Sequence, residues 1–474
     1  MPDEGQGLHQ TISVDMIERF VPKATIDAVI AEAGVKEARV RKLSAWLVLL
    51  LAITMNIYSQ LSIEAVLAKL LKGGRLLRLG RWRNDERGAS AGAISQRRYQ
   101  LGWRVMQALF HRVCKPLATA QTKGAYLFGL RLMAMDGTKE DIPDTPQNAK
   151  TFGRHKGPKG ASGYPKLQTV LLTECGTHAM VDAEYGRCYA SERALGLKLL
   201  RSVSAGMLLM IDRGFYSFDL IWQTLAHGAQ LLGRLSSHIK PKPVQRLQDA
   251  SYLAYIYPSQ HNRRKKGEHL LIRVIEYTFT DPARPGYKKR HRLFTTLLDP
   301  NLYPALELVC AYHERWEVEL VIDELQTHLR LVNHPFRSLK PDGVIQEFYA
   351  ILIAHYIVRA LMHEAALQAD LDPDRISFIG TVRILQDALF EFQKVAQPLE
   401  RAARLRGAIT SPECHPALVQ RLLNDIADLR LPPRRNRINP RVVKRTVMRF
   451  KRKQRRHRLT PQPSCSFRDA VELI

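Results

Sequence analysis

Two apolar runs in this 474-residue chain end on aspartate, and a later helical run carries glutamates. The first run, LRLMAMDGT, leads to Asp136, and the second, MLLMIDRGF, leads to Asp212. Transfer or hydrolysis at a phosphodiester needs an activated oxygen, an in-line leaving oxygen and neutralised charge between them. Two divalent ions roughly 3.5–4 Å apart supply all three when a few carboxylates converge to hold them. Mg2+ suits the task because it prefers oxygen ligands and keeps several waters. Isolated acids closing buried strands, set against an acid on a neighbouring helix, are what that chemistry requires.

The helical acid lies in YHERWEVELVIDELQ. At 100° per residue, Tyr312, Arg315, Glu319 and Gln326 fall within an arc of about 60°. Val318, Val321, Leu325 and Leu329 form the adjoining apolar stripe. Glu314, Glu317 and Glu324 point elsewhere, which leaves Asp323 as the rival to Glu319. Each piece has a plainer explanation: Asp before Gly is commonly a turn residue, and Arg and Glu four apart commonly make a surface ion pair. Their order, and a basic chain around them, favour one shared site.

The elements that must position these acids follow from periodicity. Residues 1–122 read as helices at Thr25–Ala33, Val40–Ser59 and Ile63–Lys72, then a long amphipathic helix entered from Ala89 and running through Val113. That helix resembles the second half of a helix-turn-helix, with Arg97 and Arg98 offered to DNA. From about 125 the period becomes that of strands. Leu127–Met135 ends at Asp136, Pro165–Glu174 and Thr177–Tyr185 form a hairpin, and Met207–Ile211 ends at Asp212. Helices at Ser191–Val203 and Ser217–Ala226 alternate with a last strand at Gln230–Ser236. This order predicts an α/β, RNase H-like core over 123–366, with a β-rich insertion at about 237–300 before a helix at Tyr303–Leu331. A helical C-terminal region, 367–474, includes helix Ile376–Lys394 and a basic tail, Arg430–Arg458, with fourteen Lys or Arg and no acid.

Charge narrows the partner. A formal net charge of +27 and a pI near 10.0 favour a polyanion, and nucleic acid is the commonest. Six scattered cysteines without a CxxC pair read as reduced thiols, not as a disulfide or zinc framework. No secretory signal is visible. The apolar segment Ala45–Ile57 is shorter than the roughly 20 residues that span a bilayer, so a buried helix and no membrane partner are expected. Arg213, Arg263, Arg264, Lys265, Lys266, Lys444 and Arg445 are further candidate contacts to DNA backbone.

With these residues in view, the chain resembles bacterial insertion-sequence DDE transposases of the insertion-sequence-four family. That family carries a Tyr-x2-Arg-x3-Glu-x6-Lys signature, matched by Tyr312, Arg315 and Glu319, with Gln326 in place of the final Lys. MDGTKEDIPDTPQNAKTFGR and IDRGFYS match around the other two acids, and PRVVKR at 440–445 echoes the family's basic tails. The resemblance implies that Asp136, Asp212 and Glu319 hold two Mg2+ ions, Mn2+ being able to substitute. It implies nicking at terminal inverted repeats and attack of the freed 3′-OH on target DNA by a homodimer on double-stranded DNA, in the nucleoid-bearing cytoplasm of a bacterium. It also implies that the insertion handles the element's end, including a flipped base stacked on an aromatic ring. Tyr252, Tyr255 and Tyr257 are the aromatics available, with core packing as the plainer role. The Gln326 departure removes a phosphate-directed cation, for which Lys340, Arg330 or Arg337 are substitutes. The alternatives are a nuclease or resolvase on the same fold and a non-catalytic DNA-binding descendant.

Overall fold

The computed structural model describes residues 17, 19–35, 42–73, 88–157, 160–236, 239–284, 286–315, 317–330, 334–387, 416–431 and 463–474. Helices α1 (Lys23–Glu32), α2 (Ala45–Ile57), α3 (Ile63–Gly73), α4 (Ala91–Leu101) and α5 (Trp103–Val113) come first. Strands β1 (Leu130–Asp141), β2 (Lys166–Glu174) and β3 (Met180–Arg187) precede α6 (Glu192–Leu199), β4 (Met207–Ile211), α7 (Phe218–Ala226) and β5 (Gln230–Arg234). The insertion supplies β6 (Pro243–Arg246), β7 (Tyr252–Ile256), β8 (Leu270–Phe279) and β9 (His291–Thr295). Then come α8 (Ala305–Glu314), α9 (Glu317–Asp323), a π-helical turn at Glu324–Leu329, α10 (Pro341–Gln368), α11 (Pro416–Ala427) and a last strand, β10 (Val471–Leu473).

These elements sort into two compact units that cut across the contiguous regions expected from sequence. The first comprises 1–126, 136–202 and 317–431; the second comprises 127–135, 203–316 and 432–474. Strand β1 belongs to both, with the division between Met135 and Asp136.

The first unit is built around α10, against which α2, α5 and α11 pack. Helix α2 is apolar on every face and each of its residues is buried, as its composition predicts. Its two polar side chains are satisfied within the helix: Thr54 Oγ1 donates to the Leu50 carbonyl (2.8 Å) and Asn56 Nδ2 to that of Ala52 (2.9 Å). Among the described residues only α10 is long and apolar enough to cross a membrane, and its apolar stretch is wholly buried by protein. Strands β2 and β3 form the expected hairpin, antiparallel from Leu167 opposite Arg187 to Thr173 opposite Met180.

The second unit is a sheet ordered β1-β4-β5-β9-β8-β7-β6. Its β1–β4 and β4–β5 pairs are parallel and buried, whereas β9, β8, β7 and β6 add antiparallel strands. The insertion therefore prolongs the sheet. Strand β10 pairs with Tyr277–Phe279 of β8, past the stretch that β7 covers.

Four expectations need correction. Asp136 does not end its strand: β1 runs on to Asp141. The helix expected through Val113 is two helices, because Gly102 at φ 73° takes a conformation that breaks the ladder. Arg97 and Arg98 are buried and not offered to DNA. Arg97 Nε donates to the Leu43 carbonyl (3.2 Å), and Arg98 Nε to Gln346 Oε1 (2.8 Å). The helix expected over Tyr303–Leu331 is divided into α8, α9 and the π turn, so its residues do not share one continuous face. Beyond Asp387, the expected helix Ile376–Lys394 lies outside the described residues, as do Lys444 and Arg445.

Candidate active site

Parallel pairing of β1 with β4 runs from Arg131–Met207 to Met135–Ile211. The next residue in each chain is the aspartate, Asp136 or Asp212. Apolar side chains bury both approaches, and both aspartates stand half-exposed where burial stops. The Gly137 N–H donates to Asp136 Oδ1 (2.8 Å), and the Gly214 N–H to Asp212 Oδ1 (2.6 Å). These local bonds fix each carboxyl's direction.

In the second unit, Tyr312 on α8 donates its hydroxyl proton to the Ile211 carbonyl (3.2 Å), directly before Asp212. Burial, together with the Asp212 charge, pushes the phenol up to about 12, while Arg315 and Arg234 pull the other way. Tyr312 therefore stays a neutral donor throughout the physiological range. The Arg315 guanidinium is buried and lies 5.9 Å from the centre of the Tyr312 ring. Asp212, Tyr312, Arg315 and Arg234 thus share one edge of this unit. Arg234 was missed from sequence because the end of an ordinary strand carries no motif. Arg213 is exposed.

In the first unit, Glu319 stands exposed on α9. Its rival Asp323 accepts from Thr327 Oγ1 (2.7 Å) and lies 3.5 Å from His328. Gln326 is not a free DNA-facing group. Its Nε2 donates to Thr138 Oγ1 and to Glu140 Oε1, both at 2.9 Å. Arg330 pairs with the other oxygen of Glu140 at 2.8 Å. Of the three cations weighed as substitutes, Arg330 is thus the one that joins Gln326. Arg337 instead donates to the carbonyls of Leu61 and Ser59, and Lys340 sits over the Tyr99 ring.

Of the acids expected to point away from Glu319, Glu317 and Glu324 are buried and Glu314 is half-buried. Glu317 accepts from the Gly176 N–H (2.8 Å), and Glu324 from His355 (2.8 Å) and Arg359 Nε (3.0 Å). His178 lies between them, 3.6 Å from Glu317, 3.7 Å from Glu324 and 3.0 Å from Asp374. Burial and Arg359 oppose charge on His178. Asp374 and Glu317 outweigh them and hold its pKa well above the usual histidine range. Burial likewise opposes charge on Glu324, yet Arg359 and both histidines hold it well below the carboxylate range. His178, Glu317 and Asp374 are close enough to hold a metal ion, but a protonated ring offers no lone pair. The cluster is better described as an ion network.

Comparison with known proteins decides the family. Residues 11–111 match the model for the insertion element 4 transposase N-terminal region, and residues 127–357 match the transposase DDE domain. The chain belongs to the insertion-sequence-four family of DDE transposases. It is 26% identical over 362 residues to the transposase InsG for insertion sequence element IS4 of Escherichia coli (strain K12), covering 74% of this chain and 76% of that protein. It is 25% identical over 217 residues to the putative transposase InsZ of the same organism, covering 41% and 70%. Among solved structures, a piggyBac transposase synaptic complex with hairpin DNA aligns over 88% of this chain and 85% of that one, with a TM-score of 0.42 and 11% identity. As a member of the DDE transposase family, the protein catalyses metal-dependent DNA cleavage and strand transfer.

In the transposase's insertion, Arg263, Arg264, Lys265 and Lys266 are exposed, as are Lys288, Lys289 and Arg290. Tyr252 is buried core, as its plainer role predicts. Tyr255 and Tyr257 instead gather around His269, with ring centres 4.6 and 5.8 Å from it.

Proposed function

We propose that the transposase cuts and joins DNA with Asp136, Asp212 and Glu319 as its acids, on an RNase H-like core. The observation that carries this reading is the β1–β4 pairing, which ends on Met135 and Ile211 and delivers an aspartate next in each strand. The donor set fits a hard divalent cation, because it consists of carboxylate oxygens. Asp212 makes no ion pair among the described residues that would compete. When bound, two Mg2+ ions, or Mn2+ in their place, activate the attacking oxygen and offset charge at the phosphodiester.

The chain's own residues supply the rest. Tyr312 holds the carbonyl before Asp212 and so orients that acid. Arg315 and Arg234 place positive charge where a phosphate enters. The exposed cations of the insertion hold DNA backbone, and the Tyr255–Tyr257–His269 cluster offers a stacking surface to a base at the element's end. Two ends must be joined, so the working form is a homodimer on terminal inverted repeats and target DNA. It acts at the nucleoid of a bacterial cytoplasm. The regions 1–122, 123–366 and 367–474 serve as its end-binding, catalytic and C-terminal modules.

Single Ala substitutions of Asp136, Asp212 and Glu319 test the assignment on DNA carrying the element's ends. Each should abolish Mg2+-dependent nicking and joining while end binding in Ca2+ stays near wild type, since a lost anion does not weaken phosphate attraction. Substantial cleavage by Glu319→Ala would move the third acid to Asp323.

A further inference from the structure

We propose that Glu192 is a fourth acid of the cleavage site, set beside Asp136; the inference rests on the role given to Asp136 above. Glu192 opens α6, and Ser191 caps that helix by accepting from the Ala194 N–H. The Glu192 side chain is therefore not needed as the cap, and it turns onto β1. Its carboxyl carbon lies 2.8 Å, and its Oε1 3.0 Å, from where a Cβ on residue 137 would stand. Any side chain at 137 would collide with it, so glycine there leaves room for a carboxylate against the backbone directly after Asp136. Gln168 holds it in place: one Nε2 donates to Glu192 Oε1 (3.1 Å) and to the Thr138 carbonyl (3.2 Å).

The electrostatics point the same way. Several buried carboxylates of this unit have cations: Glu140 has Arg330, Asp182 and Glu184 share Arg201, and Glu324 has Arg359. Glu174 and Glu347 instead each accept from two backbone N–H groups and a hydroxyl, a fuller set of donors than the single amide that holds Glu192. Glu192 makes no ion pair among the described residues, in a chain whose net charge is +27. A carboxylate clamped by an amide and left without a counter-charge, one residue from Asp136, is arranged to receive a cation. Glu192 would face the divalent ion held by Asp136, as a ligand or through one of the ion's waters.

Glu192→Gln separates this role from a structural one, because the carboxamide keeps the shape and the acceptor for Gln168 and removes only the charge. Mn2+ binding to the full chain, followed by electron paramagnetic resonance, should weaken about 10- to 100-fold, the usual range for a group supporting a metal ligand. Nicking of end DNA should fall comparably, with end binding in Ca2+ and the melting temperature unchanged. Wild-type Mn2+ affinity and nicking in Glu192→Gln would overturn the proposal. Should that variant not fold, Glu192→Ala removes the charge without leaving a carboxamide; wild-type Mn2+ affinity there would equally overturn it. Asp136→Ala is the control for the parent reading. If it too binds Mn2+ and cleaves normally, the triad assignment fails; if it is dead while Glu192→Gln is normal, only this inference does.

Discussion

At the scale of single residues, the signature's missing lysine has a local explanation. Glu140 is nearly sealed from solvent and takes an amide proton from Gln326 and a guanidinium from Arg330. A lysine at 326 would meet the same carboxylate, so the charge that the sequence lacks there arrives from the next turn. Arg330→Gln should therefore destabilise the fold by about 1–3 kcal/mol, the cost of leaving a buried acid under-satisfied. Gln326→Lys should be close to neutral alone and should recover most of that loss in the double variant. Thermal and urea melts of the four proteins check this; a double variant no better than Arg330→Gln would show that the two positions act independently. The approach to Asp136 and Asp212 along buried strands was legible from sequence, because an apolar run leading to an aspartate is a local pattern, although β1 continues past Asp136 to Asp141. Glu192 was not, because its relation to Gly137 depends on packing between residues far apart in the chain.

At the scale of elements, α8 and α9 are held separately. Asp249 accepts from the Ala305 N–H at the start of α8 (3.2 Å) and pairs with the buried Arg273 of β8, which also donates to the Tyr303 carbonyl (2.6 Å). Helix α9 and the π turn are fastened through Glu317 and Glu324. Periodicity alone ran one helix through both, since the end of α8 at Glu314 has no Gly or Pro after it to announce it. The apolar stripe Val318, Val321, Leu325 and Leu329 was predicted correctly and is buried. Removing Arg359 leaves Glu324 buried and uncompensated, so Arg359→Ala should cost about 3–5 kcal/mol. The histidines give the network a pH signature. The His178 pKa is raised on folding, so its contribution is complete below the unfolded value near 6.5 and fades as pH rises through the folded one. The stability difference between wild type and His178→Gln, from urea melts between pH 6 and 9, should therefore shrink with rising pH. A constant difference would mean that His178 is neutral in this network. Gly176, which feeds Glu317, is at φ 79°, and a Cβ there would stand 2.8 Å from the Ala125 nitrogen. Gly176→Ala should cost on the order of 1–3 kcal/mol from backbone conformation alone, read as a lowered denaturation midpoint.

At the scale of the whole molecule, the basic stretch that sequence presents as a tail has both its borders tied down. On one side the Leu431 N–H donates to the Arg375 carbonyl, and Ile376 bridges Arg430. On the other, β10 joins β8, Phe467 stacks on His313 at 3.9 Å, and Arg468 pairs with Glu307 of α8. Composition showed the charge between these borders but not the anchors, because β10 is only three residues long. Deleting everything after 430 would therefore remove a sheet strand along with the cations. Charge alone is tested by exchanging Lys and Arg within 434–458 for Gln while keeping 463–474. That variant should bind duplex DNA more weakly and with a flatter salt dependence, each lost phosphate contact removing roughly 0.9 from the slope. Truncation after 462 should instead impair nicking more than duplex binding, since α8 loses a support beside Tyr312. An unchanged salt slope in the neutralised variant would show that the stretch does not touch DNA.

The strand β10 and its anchors also make the C-terminus a separable part. A protease site placed between 440 and 455 would cut the covalent link, yet residues 463–474 would remain held by the β8 ladder, the Phe467–His313 stack and the Arg468–Glu307 pair. The nicked transposase should then migrate as one species on a native gel and as two pieces in detergent. A synthetic peptide spanning 463–474, added to the chain truncated after 462, should restore nicking in a saturable, dose-dependent way, which would turn the far end of the polypeptide into a handle for switching the enzyme from outside.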